Sequence, residues 1–272
     1  MSSPAIDKLF AGSIPRLYEE HLVPLIFRHY AEDLATRLAA RPLTRVLEIA
    51  AGTGVLTRHL AALLPEHVSI VATDLNQPML ALAADIGTSR PVEWREANAM
   101  QLPFDDDEFD AVVCQFGVMF FPGKSQAFAE ARRVLRTGGV LLFNVWDRIE
   151  KNEFAHAVEI ALESLFPADP PRFMSRTPHG YCDLALIGED LHRAGFVSPP
   201  QANTIAARST AVSPRIPAVA YCQGTPLRNE IEARDASRLG EATDLATAAI
   251  AARFGHGPVD GKIQAHIVAV ER

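Results

Sequence analysis

The sequence predicts an α/β fold: a parallel sheet doubly wound with helices, to which helical insertions are added. Three observations carry this reading. Apolar strand-like runs alternate with helix-period segments between residues 45 and 145, a Gly-rich turn closes the first run, and helical patterning takes over after residue 148.

Residues 45–50 (Arg-Val-Leu-Glu-Ile-Ala) read as a short buried strand ending in small residues. From Thr53 onward, Leu56, Leu60, Leu63 and Leu64 share one helical face, and Pro65 stops the helix. Residues 68–74 form a second strand, a short helix runs through Met79, Leu80 and Ala83, and residues 91–97 form a third strand. Asp105-Asp106-Asp107-Glu108 reads as a solvated turn rather than a metal cluster, and residues 109–116 as the fourth strand. A helix over residues 124–136 buries Ala127, Phe128, Ala131, Val134 and Leu135; Gly138-Gly139 is expected to end it, before a fifth strand at Val140–Val145. Right-handed crossovers place the ligand crevice at the carboxyl ends of these strands, with residues 50–54 at the point where the winding reverses.

The rest is less regular. An amphipathic helix is expected over 151–166, a Pro-rich loop over 167–178, a helix over 184–194 and a strand over 202–208. Residues 214–255 read as mostly helical, residues 263–270 as a last strand, and residues 15–40 as an amphipathic helix. The expectation is one domain, 1–272, with a core of 43–148, 181–210 and 263–272 and helical lid pieces at 1–42, 149–180 and 211–262.

Composition narrows the function. The net charge is −7 with no Lys/Arg stripe, which argues against a nucleic-acid partner. The cysteines Cys114, Cys182 and Cys222 lack Cys-x-x-Cys spacing and read as reduced thiols. With no signal-like N-terminus and no run of about 18 apolar residues, the expected location is cytoplasmic, without integral membrane association.

Ala50-Ala51-Gly52-Thr53-Gly54 opens a helix directly after a strand, where glycine lets backbone amides approach a ligand. Asp74, 20 residues beyond Gly54, can accept hydrogen bonds from both hydroxyls of a ribose or cap the following helix. An NAD(P)-dependent oxidoreductase shares both features. Against it, Thr57 stands where a dinucleotide loop has its third small residue. Glu48, inside the first strand, is a buried acid that needs a ligand's cationic amino group or the loop amides as partner.

Val46-Leu47-Glu48-Ile49-Ala50-Ala51-Gly52-Thr53-Gly54 resembles motif I of class I S-adenosylmethionine-dependent methyltransferases. Asp74 is similar to their second-strand acid, and Asn98-Ala99-Met100-Gln101-Leu102-Pro103-Phe104 to their adenine-binding segment. Phe109-Asp110-Ala111-Val112-Val113 resembles the fourth strand and Arg133-Val134-Leu135-Arg136-Thr137-Gly138-Gly139 the turn into the fifth, so the likeness covers about residues 43–148. The subgroup it is most similar to includes quinone-biosynthesis C-methyltransferases. Ala50 and Thr137 depart from the usual Gly and Pro.

The resemblance implies a Rossmann-like seven-stranded sheet of order 3-2-1-4-5-7-6, last strand antiparallel, with helical cap insertions. It implies S-adenosylmethionine as cofactor, S-adenosylhomocysteine as product and a small, hydrophobic methyl acceptor. Glu48 and Ala50, Ala51, Gly52, Thr53 and Gly54 would hold the methionine moiety, and Asp74 the ribose. Leu75 and Met79 would pack on the adenine, Asn98, Ala99 and Met100 would line its edge, and Gln115 would lie beside the sulfonium. Tyr18 resembles a tyrosine that closes over the cofactor, though a core aromatic reads equally well.

For acid–base work the candidates are His179 with neighbouring Tyr181, and His156; Asn144, Trp146 and Asp147 end the fifth strand as pocket-lining candidates. No metal is expected, because Cys114-Gln115-Phe116-Gly117 offers no hard carboxylate. Apolar stripes at Pro24–Phe27 and at Phe154, Leu162, Leu165 and Phe166 could roof a pocket or bury a homodimer face. Gln223–Arg228 carries turn chemistry suited to a lid or interface. A non-catalytic S-adenosylmethionine-binding regulatory protein would carry the same cofactor motifs.

Overall fold

The computed structural model of the chain describes Phe10 and residues 12–272. α1 (Ile14–Leu17) leads into a π-helical stretch, Tyr18–Phe27, and then α2 (Arg28–Ala39). The amphipathic pattern over 15–40 is thus helical throughout but wound wide in its middle. Pro24 lies there, and a proline has no N–H for the helical ladder and crowds the preceding turn.

β1 (Arg45–Ile49), α3 (Val55–Leu63), β2 (Ser69–Asp74), α4 (Gln77–Ile86), β3 (Glu93–Glu96), β4 (Phe109–Gln115), α5 (Lys124–Val134) and β5 (Leu135–Trp146) then alternate. They are followed by α6 (Glu153–Leu165), the short α7 (Phe173–Arg176), α8 (Leu184–Arg193) and β6 (Gln201–Ala211). α9 (Arg215–Gln223), α10 (Leu227–Asp235), α11 (Leu239–Phe254) and β7 (Val259–Glu271) complete the chain. The seven strands form one mixed sheet in the order β3-β2-β1-β4-β5-β7-β6, the order the motif resemblance implied. β3, β2, β1, β4 and β5 pair in parallel. Their near-continuous apolar runs (Val46-Leu47, Ile70–Ala72, Ala111–Cys114, Val140–Phe143) are buried, as a sheet covered on both faces requires.

One boundary is corrected. α5 stops at Val134, and Leu135 is already extended, so Gly138-Gly139 does not cap the helix. The register jumps from Phe109↔Leu135 to Ala111↔Val140, leaving extra residues on β5. Gly138, at φ 79°, takes up this irregularity inside the strand.

The chain divides into two compact units. The sheet unit comprises Arg28–Val145, Tyr181–Ile205 and Ala265–Arg272. In it α2 packs on α3 and α5 on α8. The acidic turn lies at its surface, where Asp106 pairs with Arg133 at 2.8 Å, Glu108 with Arg45 at 2.9 Å, and Asp107 with Arg272. The helical unit comprises residues up to Phe27, Trp146–Gly180 and Ala206–Gln264. Its core joins α6, α9 and α11, with Phe154, Val158 and Leu162 buried one turn apart on α6 and Ala242, Ala246 and Ile250 on α11. Among the described residues no helix is long and apolar enough to cross a membrane, and no group of His, Cys, Asp and Glu is placed to hold a metal ion.

Candidate active site

Strand register aligns the candidate residues of the sheet unit. Glu48 on β1 pairs with Ala72 on β2 and Val113 on β4, and Val113 pairs with Leu142 on β5. Side chains paired across a sheet share a face, as do residues two apart. Two residues on, toward the carboxyl edge, come Asp74, Ala50, Gln115 and Asn144, of which Gln115 and Asn144 are directly paired. These four form a row across the ends of β2, β1, β4 and β5, with Glu48 one step beneath.

The loop beyond β1 turns through three left-handed residues, Ala50 at φ 55°, Gly52 at 58° and Gly54 at 80°. The Ala51 N–H donates to the Thr73 carbonyl at 2.9 Å, tying the loop to β2. A Cβ on Gly54 would lie 2.9 Å from Trp94 Cη2 and 3.1 Å from Ala83 Cβ, so packing excludes any larger residue there. Left-handed backbone costs an alanine about 1–2 kcal/mol. The Ala50 methyl is accommodated by Gly117, where a Cβ would come within 2.4 Å of Ala50 Cβ and 2.7 Å of Cys114 Sγ. Alanine at the usual glycine position is therefore answered by a glycine beyond β4.

Glu48 is 1% exposed, and its Oε2 accepts from Thr57 Oγ1 at 2.6 Å. Burial pushes its carboxyl up to about 8; Asp74 adds to this, while the Thr57 hydroxyl and the Arg58 charge oppose it. The partner of the buried acid is thus a hydroxyl from α3 and not a loop amide. The loop amide goes to Asp74 instead. Gly52 N–H donates to Asp74 Oδ2 at 2.8 Å, and Asn76 donates to Oδ1 from its backbone N–H at 2.7 Å and from Nδ2 at 3.3 Å. Burial raises the Asp74 carboxyl and these hydrogen bonds oppose the rise. Asn76, not Asp74, is the N-cap residue of α4. Thr53 is 1% exposed, and its Oγ1 has no hydrogen-bond partner among the described residues.

Around this frame Leu75 is 53% exposed, an apolar side chain left in solvent at the end of β2, while Met79 is buried with its methyl over Gly52. The Ala97 N–H donates to the Asp74 carbonyl at 3.0 Å, which brings the Asn98-Ala99-Met100 segment to the same edge. Asn98 Oδ1 accepts from Met100 N–H at 3.0 Å, and Gln126 Nε2 of α5 donates to the Met100 carbonyl at 3.0 Å. Gln115 is half-buried at the end of β4.

The remaining candidates are divided between the two units. Tyr18 lies in the π-helical stretch of the helical unit, half-buried and stacked on Phe27 with centroids 4.9 Å apart. His179 belongs to the helical unit and Tyr181 to the sheet unit. His179 Nδ1 lies 2.8 Å from the Asp147 carbonyl, which can only accept, so Nδ1 carries the proton and Nε2 the lone pair. Burial lowers the imidazole to about 4, so the ring is neutral at physiological pH. The Tyr181 hydroxyl donates to Asp190 Oδ2 at 2.8 Å; burial, and then that bond, raise its pKa. Asn152, absent from the sequence reading, donates to the Asp147 and Gln264 carbonyls at 3.2 and 3.3 Å and holds the turn that presents the Asp147 carbonyl to His179. Gly117 was also missed; nothing in its local sequence announces its contact with Ala50.

A family profile described as a methyltransferase domain matches residues 47–143. The chain is 32% identical over 204 residues to a ubiquinone/menaquinone biosynthesis C-methyltransferase of Pseudomonas aeruginosa, covering 70% of this chain and 75% of the relative. The corresponding protein of Teredinibacter turnerae is 28% identical over 204 residues, covering 70% and 77%. Among solved structures, a protein named as a putative methyltransferase, from Bacillus halodurans, superposes with a TM-score of 0.57 at 18% identity, covering 88% of this chain and 97% of that one. A Haemonchus contortus phosphoethanolamine N-methyltransferase in complex with S-adenosyl-L-methionine gives 0.60 at 16% identity, covering 100% of this chain and 60% of that one. At such identities the structures show the fold alone. The sequence relatives decide between the two enzyme readings: this chain belongs to the class I S-adenosylmethionine-dependent methyltransferases.

Proposed function

We propose that the carboxyl edge of β2, β1 and β4 binds S-adenosylmethionine and that the chain methylates a small apolar acceptor. The observation that carries the reading is Glu48, a buried acid whose bonded partner is a neutral hydroxyl, beneath a loop whose Gly52 and Gly54 take left-handed backbone and beside Asp74. Such an acid fits a ligand ammonium, and the orphaned Thr53 hydroxyl fits a ligand carboxylate or amine. Asp74 would take the ribose hydroxyls while its backbone donors keep it in place. Leu75 and Met79 would sandwich the adenine, with Asn98, Ala99 and Met100 at its edge. The remaining loop residues, Ala50, Ala51, Gly52 and Gly54, would leave room for the methionine chain, and Gln115 would face the sulfonium.

Bound there, the cofactor supplies an electrophilic methyl group. The chain's part is to hold the acceptor in line, exclude water and receive a proton. Within the helical unit the His179 tautomer leaves Nε2 as acceptor, and within the sheet unit the Tyr181 hydroxyl is committed to Asp190. The curated relatives are named as quinone C-methyltransferases, so a quinol ring carbon is the first acceptor to try.

Calorimetry with S-adenosylhomocysteine tests the cofactor half; an absence of binding would overturn it. Methyl-labelled S-adenosylmethionine with a short-chain demethylated quinol tests the acceptor half. Label passing into the organic phase is expected, and label confined to water across a series of phenols and quinols would reject an apolar acceptor.

A further inference from the structure

Asn144 carries a hydrogen-bond donor with no task in the fold. It is wholly buried at the end of β5, and its Oδ1 accepts from the Phe116 N–H at 2.8 Å. A backbone N–H can only donate, so the amide cannot be turned over, and Nδ2 points to the other side. Nδ2 is buried and has no acceptor among the described residues. An unsatisfied buried donor is costly to the fold. The residue it holds is itself strained: Phe116 sits at φ 50°, where a bulky side chain is rarely found. The carbonyl half of Asn144 therefore has a structural role, fixing the turn that carries Gly117 onto Ala50. The amino half does nothing for the protein.

Its position suggests what it does for a ligand. Asn144 is paired with Gln115 and lies one strand beyond it, at about 4.8 Å, in the row that starts with Asp74. With the cofactor along β2 to β4, as proposed above and on which this inference rests, the end of β5 is the next place along the row. We propose that Asn144 Nδ2 donates a hydrogen bond to an oxygen of the methyl acceptor, and that the acceptor is a phenol, quinol or enolisable ketone bound as its oxyanion. A donor there favours the ionised form of such an oxygen. It would tie up the lone pair of an amine acceptor, so it selects against amines.

The test uses 1-naphthol as probe, titrated by calorimetry into protein saturated with S-adenosylhomocysteine between pH 7 and 10. Asn144→Asp keeps the acceptor for the Phe116 N–H and removes the donor. Its affinity for naphtholate should fall at least about tenfold, with S-adenosylhomocysteine affinity within about twofold of wild type. Asn144→Ala should lose naphtholate affinity in the same direction, and the naphthol bound to wild type should ionise at lower pH than the free phenol. Equal naphthol affinity in wild type and Asn144→Asp across this range would mean that water alone serves Nδ2 and would overturn the assignment. So would an absence of naphthol binding to wild type, or a loss of S-adenosylhomocysteine affinity in place of naphthol affinity. Failure of the wild-type protein to bind S-adenosylhomocysteine is a different failure: it overturns the cofactor placement and removes the inference with it.

Discussion

Glu48→Gln isolates the energetics of the buried acid. In the folded chain the carboxyl titrates at about 8, against 4.5 for an ordinary glutamate. Between these values the folded state keeps a proton that the unfolded chain has released. Stability is therefore fully present below about pH 4.5 and is lost as pH rises through 8. At 1.36 kcal/mol per unit, the loss is on the order of 3 kcal/mol by pH 7 and 5 kcal/mol above pH 8. Glutamine is neutral throughout and can still accept from Thr57 Oγ1, which lies 2.6 Å from the present carboxylate. The ligand-free variant should melt close to wild type at pH 5 and above it at pH 8, by about 2–4 °C per kcal/mol and so on the order of 10 °C. Thermal and urea unfolding between pH 5 and 9 measures this. Two curves running parallel at every pH would refute the assignment of the titration to Glu48. The same substitution should weaken S-adenosylhomocysteine, whose ammonium loses its counter-charge, and should abolish the rise in wild-type affinity expected between pH 6 and 8.

Other perturbations test the rest of the site. Asp74→Ala removes the acceptor of Gly52 and Asn76 N–H as well as the proposed ribose ligand; cofactor affinity by calorimetry should drop about 10- to 100-fold, and unchanged affinity would reject the ribose role. Gly117→Ala forces a methyl against Ala50 and should cost about 1–3 kcal/mol in urea unfolding; adding Ala50→Gly should recover most of it, and strict additivity would show that the two do not touch. His179 titrates at about 4 when folded against 6.5 unfolded, so its contribution is present above pH 6.5 and lost as pH falls through 4. His179→Phe should flatten the acid side of the stability profile, by about 3 kcal/mol at pH 4, and an unchanged acid limb would place the titration elsewhere.

The alternation of β1 to β5 with their helices, and the sheet order it implies, could be read from the chain because both rest on local periods. A buried parallel strand needs a short apolar run, its crossover helix needs one apolar face, and both are properties of neighbours in sequence. The motif at Glu48–Gly54 with Asp74 was legible for the same reason, and the sequence relatives then placed the family. Where a local rule met a longer-range demand, the local rule lost. Gly138 has the backbone freedom of a helix cap, but the register of β5 against β4 uses that freedom for an irregularity inside a strand. The N-terminal segment is helical as its pattern implies, but it winds as a π-helix over the stretch that holds Pro24.

Only the tertiary structure decided who partners whom. Thr57 rather than a loop amide meets Glu48, Gly117 makes room for Ala50, and Asn144 holds Phe116. The last two pairs bring together strand ends far apart in the chain, and no sequence period links them. Strand register does, because pairing across the sheet aligns residues at one height and on one face whatever their separation in sequence. The candidate residues were written locally; their protonation, strain and spare hydrogen-bonding capacity arose when the sheet brought them together.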